Sequence, residues 1–199
     1  MASATSSIIC YAILFGCSKP IETFTRQAFG YNDLKLCGIY LNRARLIMTG
    51  FFVPMIGLLY FSRPILLALG QDEPVVEYAA LYILWTIPAQ YMFALFNLNR
   101  RWLNSMKVMW SPTIVLIVTL IGHIGLCHVF TNWYEMDVKG LAYAYTISSF
   151  NLLVLMTLYQ NCCLTDIGDA LFCPGSETYE DSWEYIKLVL SSILATMGE

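Results

Sequence analysis

Charged residues are scarce in this sequence. Only 13% of its 199 residues are Asp, Glu, Lys or Arg, whereas 58% are hydrophobic and the mean hydropathy is +0.60. Soluble domains carry about twice that share of charge, so the composition excludes an ordinary water-soluble domain and favours a protein embedded in lipid. The net charge of -3 is too small to indicate a nucleic-acid partner.

Motifs that carry chemistry are also scarce. The sequence contains no Ser/His/Asp set, phosphate-binding loop or Cys/His metal spacing, so it predicts no enzyme, no cofactor and no metal site. Its seven cysteines are mostly isolated in apolar stretches and are interpreted as inert thiols. His123 and His128 do not share a helix face, which favours polar packing between helices over metal binding.

Long charge-free stretches are what the sequence does contain. A helix needs about 20 apolar residues to cross a bilayer core of about 30 Å. One of these stretches, residues 46–62, is extended by the apolar segment PILLALG and predicts a span with a bend at Pro54. The predicted spans are residues 78–99, 108–134, 140–165 and 46–62.

A further span is predicted at the amino end, where residues 8–16 are apolar but too few to cross a bilayer. If this helix continues, it carries Lys19, Glu22 and Arg26 on one face, where they can neutralise one another. Another helix begins near Trp183. The expected fold is therefore all-α, a polytopic membrane helix bundle with five spans and the start of a further helix.

The distribution of Lys and Arg predicts the orientation of these spans. The first four connections carry five, one, three and one basic residues. Because Lys and Arg concentrate in cytoplasmic loops, the first and third connections are predicted to be cytoplasmic. The expected localisation is an integral, multi-pass protein of the plasma membrane or of a vacuolar or vesicular membrane.

Four segments in a fixed order resemble one transporter family. They read PIETFTRQAFGYNDLKLCGIYLNRA, RPILLALGQDEPVVEYAALYILWTIPAQ, RRWLNSMKVMWSP and VKGLAYAYTISSFNLLVLMTLY. A final segment, SWEYIKLVLSSILATMGE, is similar to the first half of the seventh helix of the same family. This ordered set resembles the multidrug and toxic compound extrusion (MATE) family, of the eukaryotic type.

The resemblance implies twelve helices in two lobes and export of a small organic cation, xenobiotic or metabolite, driven by a proton or sodium gradient. It implies that residues 1–165 form an incomplete N-lobe that resembles family helices two to six. Residues 166–182 would then be a cytoplasmic linker, and residues 183–199 the truncated start of the C-lobe. On this reading the chain is part of a longer protein.

The resemblance also nominates site residues. Glu199 matches a membrane-embedded carboxylate that couples proton movement to cation export, and Glu22 is a second candidate for coupling. A carboxylate among apolar residues can act in this way because burial disfavours its charged form. The motif residues Thr23, Gln27 and Gly30 are expected at the cavity or at a cytoplasmic gate.

Two alternatives to the antiporter stay open. One is a non-transporting, truncated membrane protein that associates with full-length transporters through exposed small-residue faces. The other is a related lipid or polysaccharide flippase, which is expected to have a more basic cavity than these spans provide.

Overall fold

The computed structural model describes residues 16, 18–68, 70–133, 138–163 and 182–197, and every regular element within these ranges is an α-helix. This confirms the predicted all-α class. Helix α1 comprises residues 18–30. The helices that follow are α2 (Leu34–Tyr60), α3 (Ser62–Ala68), α4 (Glu73–Ser105), α5 (Trp110–Asn132), α6 (Val138–Cys163) and α7 (Ser182–Met197).

Four of these helices are long and apolar enough to cross a membrane. They contain or nearly coincide with the four charge-free stretches found in the sequence, because hydropathy alone identifies spans of this length. The first part of the fifth predicted span, residues 8–15, lies outside the described ranges, and its continuation is helix α1. The qualifying helices are Leu34–Tyr60, Glu73–Ser105, Trp110–Asn132 and Lys139–Cys162.

The boundaries predicted for the span at residues 46–62 were wrong at both ends. Helix α2 begins at Leu34, well before residue 46, and continues through Pro54 to Tyr60. The apolar stretch after Arg63 belongs to the separate helix α3 and does not extend α2. Hydropathy placed the start too late because it counts Arg43 and Arg45 as interruptions, although both guanidinium groups have partners within the bundle.

Three helices end in the same hydrogen-bonded motif. At the end of α4, Val108 N–H donates to the Leu103 carbonyl at 3.0 Å and Lys107 N–H donates to Asn104 at 3.1 Å. This Schellman arrangement requires a left-handed residue just after the helix. Lys107 fills that position in α4, and Asn32 and Gly70 fill it after α1 and α3, with φ angles of 67°, 58° and 76° respectively.

The helices pack side by side with alternating direction. Helix α2 runs antiparallel to α4, since Cys37 near the start of α2 contacts Trp102 near the end of α4. Helix α5 packs antiparallel to α6, and α4 packs extensively on α6. The α1–α2 and α4–α5 connections therefore lie at the same end of the bundle, as the predicted topology requires.

Helix α7 joins the bundle through an aromatic stack. Tyr185, which is 1% exposed, stacks on Phe24 of α1 at a centroid distance of 5.5 Å, and Phe24 stacks on Tyr40 of α2 at 5.1 Å. Val189, one turn further along α7, is fully buried in the same apolar core. The stack connects α7 to α1 and α2, and the predicted division of the chain into lobes stays a prediction.

Candidate functional site

The first site residue that the structure describes is Glu22, on α1. Its carboxylate pairs with Arg26 one turn along α1, as the i, i+4 spacing predicted. A second guanidinium, that of Arg101 on α4, donates to the other carboxylate oxygen at 3.3 Å. The Glu22 side chain is 30% exposed and that of Arg101 is 21% exposed, so the pair sits at the edge of the bundle. Glu22 therefore links α1 to α4 through a half-buried ion pair.

The motif residues near Glu22 lie on the outside of α1. Thr23, Gln27 and Gly30 are all exposed, and a Cβ added at Gly30 would meet no atom within 4 Å. Between them, Ala28 and Thr25 turn into the core. The described helices thus leave this face of α1 uncovered, and the predicted cavity or gate role of these three residues stays a prediction. Glu199 lies outside the described residues, as does residue 198 before it.

A polar seam connects α2 to α4 and includes residues that sequence reasoning missed. Arg45 Nη2 donates to the Asn99 side-chain oxygen at 2.6 Å, and the hydroxyls of Thr49 and Tyr91 are 3.0 Å apart. Asn99 is 1% exposed. Because residues 54 positions apart in sequence form the first of these bonds, no local spacing could have indicated it.

A cavity of about 240 Å³, open toward the outside of the described bundle, lies between α4, α5 and α6. Apolar and aromatic side chains make up most of its lining, together with a few hydroxyls and one imidazole. The lining includes Phe93 of α4, Leu116, Thr119 and His123 of α5, and Tyr145 and Ser148 of α6.

His123 in the cavity lining has a polar partner at each of its ring nitrogens. Its Nδ1 lies 2.9 Å from the Ser148 hydroxyl, across the α5–α6 interface, and its Nε2 lies 3.5 Å from the Cys127 sulfur, one turn along α5. The Tyr145 ring meets the imidazole edge-on at a centroid distance of 6.5 Å. This confirms the predicted polar packing of His123 between helices, whereas His128 is exposed.

The fold and the contacts between its helices define a class of protein. Four bilayer-length helices, joined by side-chain hydrogen bonds where they pack and with an open cavity between three of them, describe a polytopic helical membrane protein.

Comparison with known proteins gives the family. The sequence profile of the MatE family matches residues 1–129, more than half of the chain, so the chain belongs to the MatE (multidrug and toxic compound extrusion) family. This confirms the resemblance seen in the sequence. Since MatE proteins are membrane transporters, membership agrees with the expectation that the chain is not an enzyme.

Plant relatives extend the match along the chain. Protein DETOXIFICATION 28 of Arabidopsis thaliana is 29% identical over 185 residues, which cover 92% of this chain and 37% of the relative. Protein DETOXIFICATION 38 of the same plant is 30% identical over 155 residues, or 78% of this chain and 31% of the relative. The chain thus spans about a third of the length of these relatives.

The fold matches a solved structure as well. The crystal structure of the eukaryotic MATE transporter AtDTX14 superimposes with a TM-score of 0.88 and 20% sequence identity. The superposition covers 96% of this chain and 44% of AtDTX14. The likeness establishes the fold, and it agrees with the predicted polytopic helix bundle.

Proposed function

We propose that this chain belongs to a secondary active antiporter that exports organic cations, other xenobiotics or metabolites in exchange for protons or sodium ions. The observation that carries this proposal is its membership of a transporter family, which the profile match over residues 1–129 establishes. Because the chain spans 37% of DETOXIFICATION 28, transport by the whole protein is part of the proposal. In this proposal the proton or sodium gradient supplies the free energy for transport, and no cofactor is required.

The structure supports the proposal through the way its spans are held together. Side-chain hydrogen bonds join α2 to α4 and α5 to α6, so the packed helices are held together as one bundle. Secondary transporters of this kind alternate access by moving one helix bundle against another. The described helices supply one such bundle.

We assign the coupling role in this transporter to Glu199 and, as the second candidate, to Glu22. Glu199 follows the apolar segment SSILATMG, where the cost of burying a charge favours exchange between a proton and a cation. Glu22 has two guanidinium partners in this structure. A coupling role for Glu22 therefore requires that at least one of these ion pairs opens during the cycle.

A reconstituted transport assay tests the proposal. The 199-residue chain and the longest reading frame that contains it are each placed in proteoliposomes loaded with ethidium, a fluorescent organic cation. An imposed pH gradient is expected to drive ethidium efflux from vesicles that hold the longer product, and a sodium gradient serves as the parallel arm. Absence of gradient-driven efflux with both ions would overturn the antiporter assignment.

Matched variants then separate the two carboxylates. We expect Glu199→Gln to reduce proton-driven efflux by at least tenfold, because an amide cannot exchange a proton, and Glu199→Asp to retain part of it. Glu77→Gln is the control, since Glu77 is an exposed carboxylate near the start of α4. If Glu22→Gln reduces efflux and Glu199→Gln does not, the order of the two assignments is reversed.

A further inference from the structure

Three buried polar groups that can donate hydrogen bonds, one each on α4, α5 and α6, have no partner among the described residues. They are Nε of Arg100 on α4, the hydroxyl of Ser111 on α5 and Nε2 of Gln160 on α6. Ser111 is 3% exposed and Gln160 is 1% exposed. Native structures pair nearly all of their buried donors, so three unpaired donors at one place indicate a missing acceptor.

The packing of α4 on α6 brings two of these donors to the same level. The Thr146 hydroxyl of α6 donates to the Trp85 carbonyl of α4 at 3.5 Å. From this contact, Arg100 lies 15 positions further along α4 and Gln160 lies 14 positions further along α6. Because α4 and α6 run in the same direction, the Cα atoms of these two residues differ in height by only about 1.5 Å, the rise of one helical residue.

The packing of α5 on α6 adds the third donor. Nδ1 of His123 on α5 and the Ser148 hydroxyl on α6 are 2.9 Å apart. Ser111 lies 12 positions before His123, and Gln160 lies 12 positions after Ser148. Since α5 and α6 are antiparallel, Ser111 and Gln160 are at the same height. The three donors therefore lie at one level on three helices of the same bundle.

The surroundings of this level are positively charged. Arg100 is half-buried, and the residue after it, Arg101, is a second arginine, which pairs with Glu22 of α1. Helix α5 begins at this level, its first turn contains no acidic residue, and Met109 provides no side-chain cap. The positive end of the α5 dipole therefore adds to the charge of Arg100.

This level coincides with the boundary of the membrane. The charge-free stretch of α4 ends immediately before Arg100. Trp110, next to Ser111, is 82% exposed, and tryptophan is enriched at the level of the lipid headgroups. Further into the membrane, the surface of α5 is apolar and exposed at Ile114 and Ile121, where acyl chains can pack. A lipid headgroup can therefore reach the three donors.

We propose that Arg100, Ser111 and Gln160 form a binding site for the phosphate group of an anionic phospholipid in the cytoplasmic leaflet. A phosphate carries a negative charge and several acceptor oxygens, so it can accept from a guanidinium, a hydroxyl and an amide at once. Basic sites between membrane helices on the cytoplasmic side recognise headgroups in this way. Since the donors belong to three helices, a bound lipid ties the ends of α4, α5 and α6 together. The site does not depend on the antiport function proposed above.

Native mass spectrometry tests the site, because it resolves bound lipids one at a time. The product of the longest reading frame that contains the chain is purified in detergent and titrated with dioleoylphosphatidylglycerol, whose only charge is on its phosphate. Dioleoylphosphatidylcholine, which has the same acyl chains and no net charge, is titrated in parallel. We expect the first phosphatidylglycerol to bind about tenfold more tightly than the first phosphatidylcholine. This comparison needs no variant.

Matched variants locate the preference. Arg100→Gln should weaken phosphatidylglycerol binding by about tenfold, and Gln160→Leu, which keeps the bulk of a buried side chain, by about threefold. Both variants should bind phosphatidylcholine as the unchanged protein does, which checks that they fold. Arg63→Gln is the control, since it removes an exposed arginine at the opposite end of the bundle, and it should leave the preference unchanged.

Four results would overturn the proposal. They are equal affinity for the two lipids, a loss in Arg100→Gln no larger than that in Arg63→Gln, an unchanged affinity in Gln160→Leu, and displacement of the bound phosphatidylglycerol by an excess of inorganic phosphate. The last result would assign the donors to a soluble anion and not to a lipid. These are equilibrium measurements without a gradient, so their outcome is independent of the efflux assay.

Discussion

Among the described residues, Lys107 combines a left-handed backbone conformation with a long side chain that does not favour it. It has a φ of 67° at the left-handed position after α4, which costs an L-residue with a Cβ roughly 1–2 kcal/mol. We expect Lys107→Gly to raise the free energy of unfolding by about 0.5–1 kcal/mol, after allowance for the greater freedom of glycine in the unfolded chain. Thermal unfolding in detergent measures the change.

Two further variants isolate the backbone as the cause of this effect. Lys107→Ala removes the same exposed charge but keeps a Cβ, so no gain is expected. Gly70→Ala introduces the strain at the equivalent position after α3, where φ is 76° and an added Cβ meets no atom within 4 Å. A loss of about 1 kcal/mol is expected there. If Lys107→Ala stabilises as much as Lys107→Gly, the charge and not the conformation is responsible.

At the scale of the elements, the seam between α2 and α4 depends on Arg45 and Asn99. The guanidinium donates to the buried amide oxygen at 2.6 Å, and hydrogen bonds to charged groups contribute about 1.5–3 kcal/mol. We predict a coupling energy of about 1–2 kcal/mol in the double-mutant cycle of Arg45→Ala and Asn99→Ala. Reversible unfolding with SDS in mixed micelles measures it.

Asn97 provides the matched control for this cycle. It lies two positions before Asn99 on α4, but its amide donates to the Phe93 carbonyl within the same helix at 2.9 Å. The cycle of Arg45→Ala with Asn97→Ala should therefore show a coupling energy near zero. Equal coupling for Asn97 and Asn99 would mean that the loss arises from α4 itself and not from its bond to α2.

The helices could largely be predicted from the sequence, but the contacts between them could not. Charge-free length located α4, α5 and α6, and i, i+4 spacing identified the ion pair of Glu22 with Arg26. Both signals are local. The second partner of Glu22, Arg101, is 79 positions away along the chain, and no local period encodes how two helices pack.

The contacts that line the cavity were even harder to predict from the sequence. The sequence predicted polar packing for His123 because His123 and His128 do not share a helix face and so make a poor metal pair. Its bond to Ser148 depends on the antiparallel register of α5 and α6. Since a helix turns by about 100° per residue, a shift of one residue in that register would turn the hydroxyl away from the imidazole. The site thus exists only once these two helices are packed.

At the scale of the whole molecule, the alternating helices sort the basic residues between two ends. The α1–α2 and α4–α5 connections lie together, as the bond from Trp102 to the Cys37 carbonyl shows. The opposite end of the described bundle carries Arg63 and Lys139. Basic residues near the first end include Arg26, Lys35, Arg43, Arg45, Arg100, Arg101 and Lys107.

This asymmetry predicts the orientation in the membrane, since loops rich in Lys and Arg stay in the cytoplasm. A glycosylation acceptor in a long flexible spacer, inserted after Gln71 in the α3–α4 connection, should receive a glycan in microsomes. The same insert after Lys107, in the α4–α5 connection, should not. A glycan on the second insert alone would reverse the topology. In that case the ion pair of Glu22 with Arg101 would face the non-cytoplasmic side, where a proton-driven exporter takes up its protons, and Glu22 would become the stronger coupling candidate.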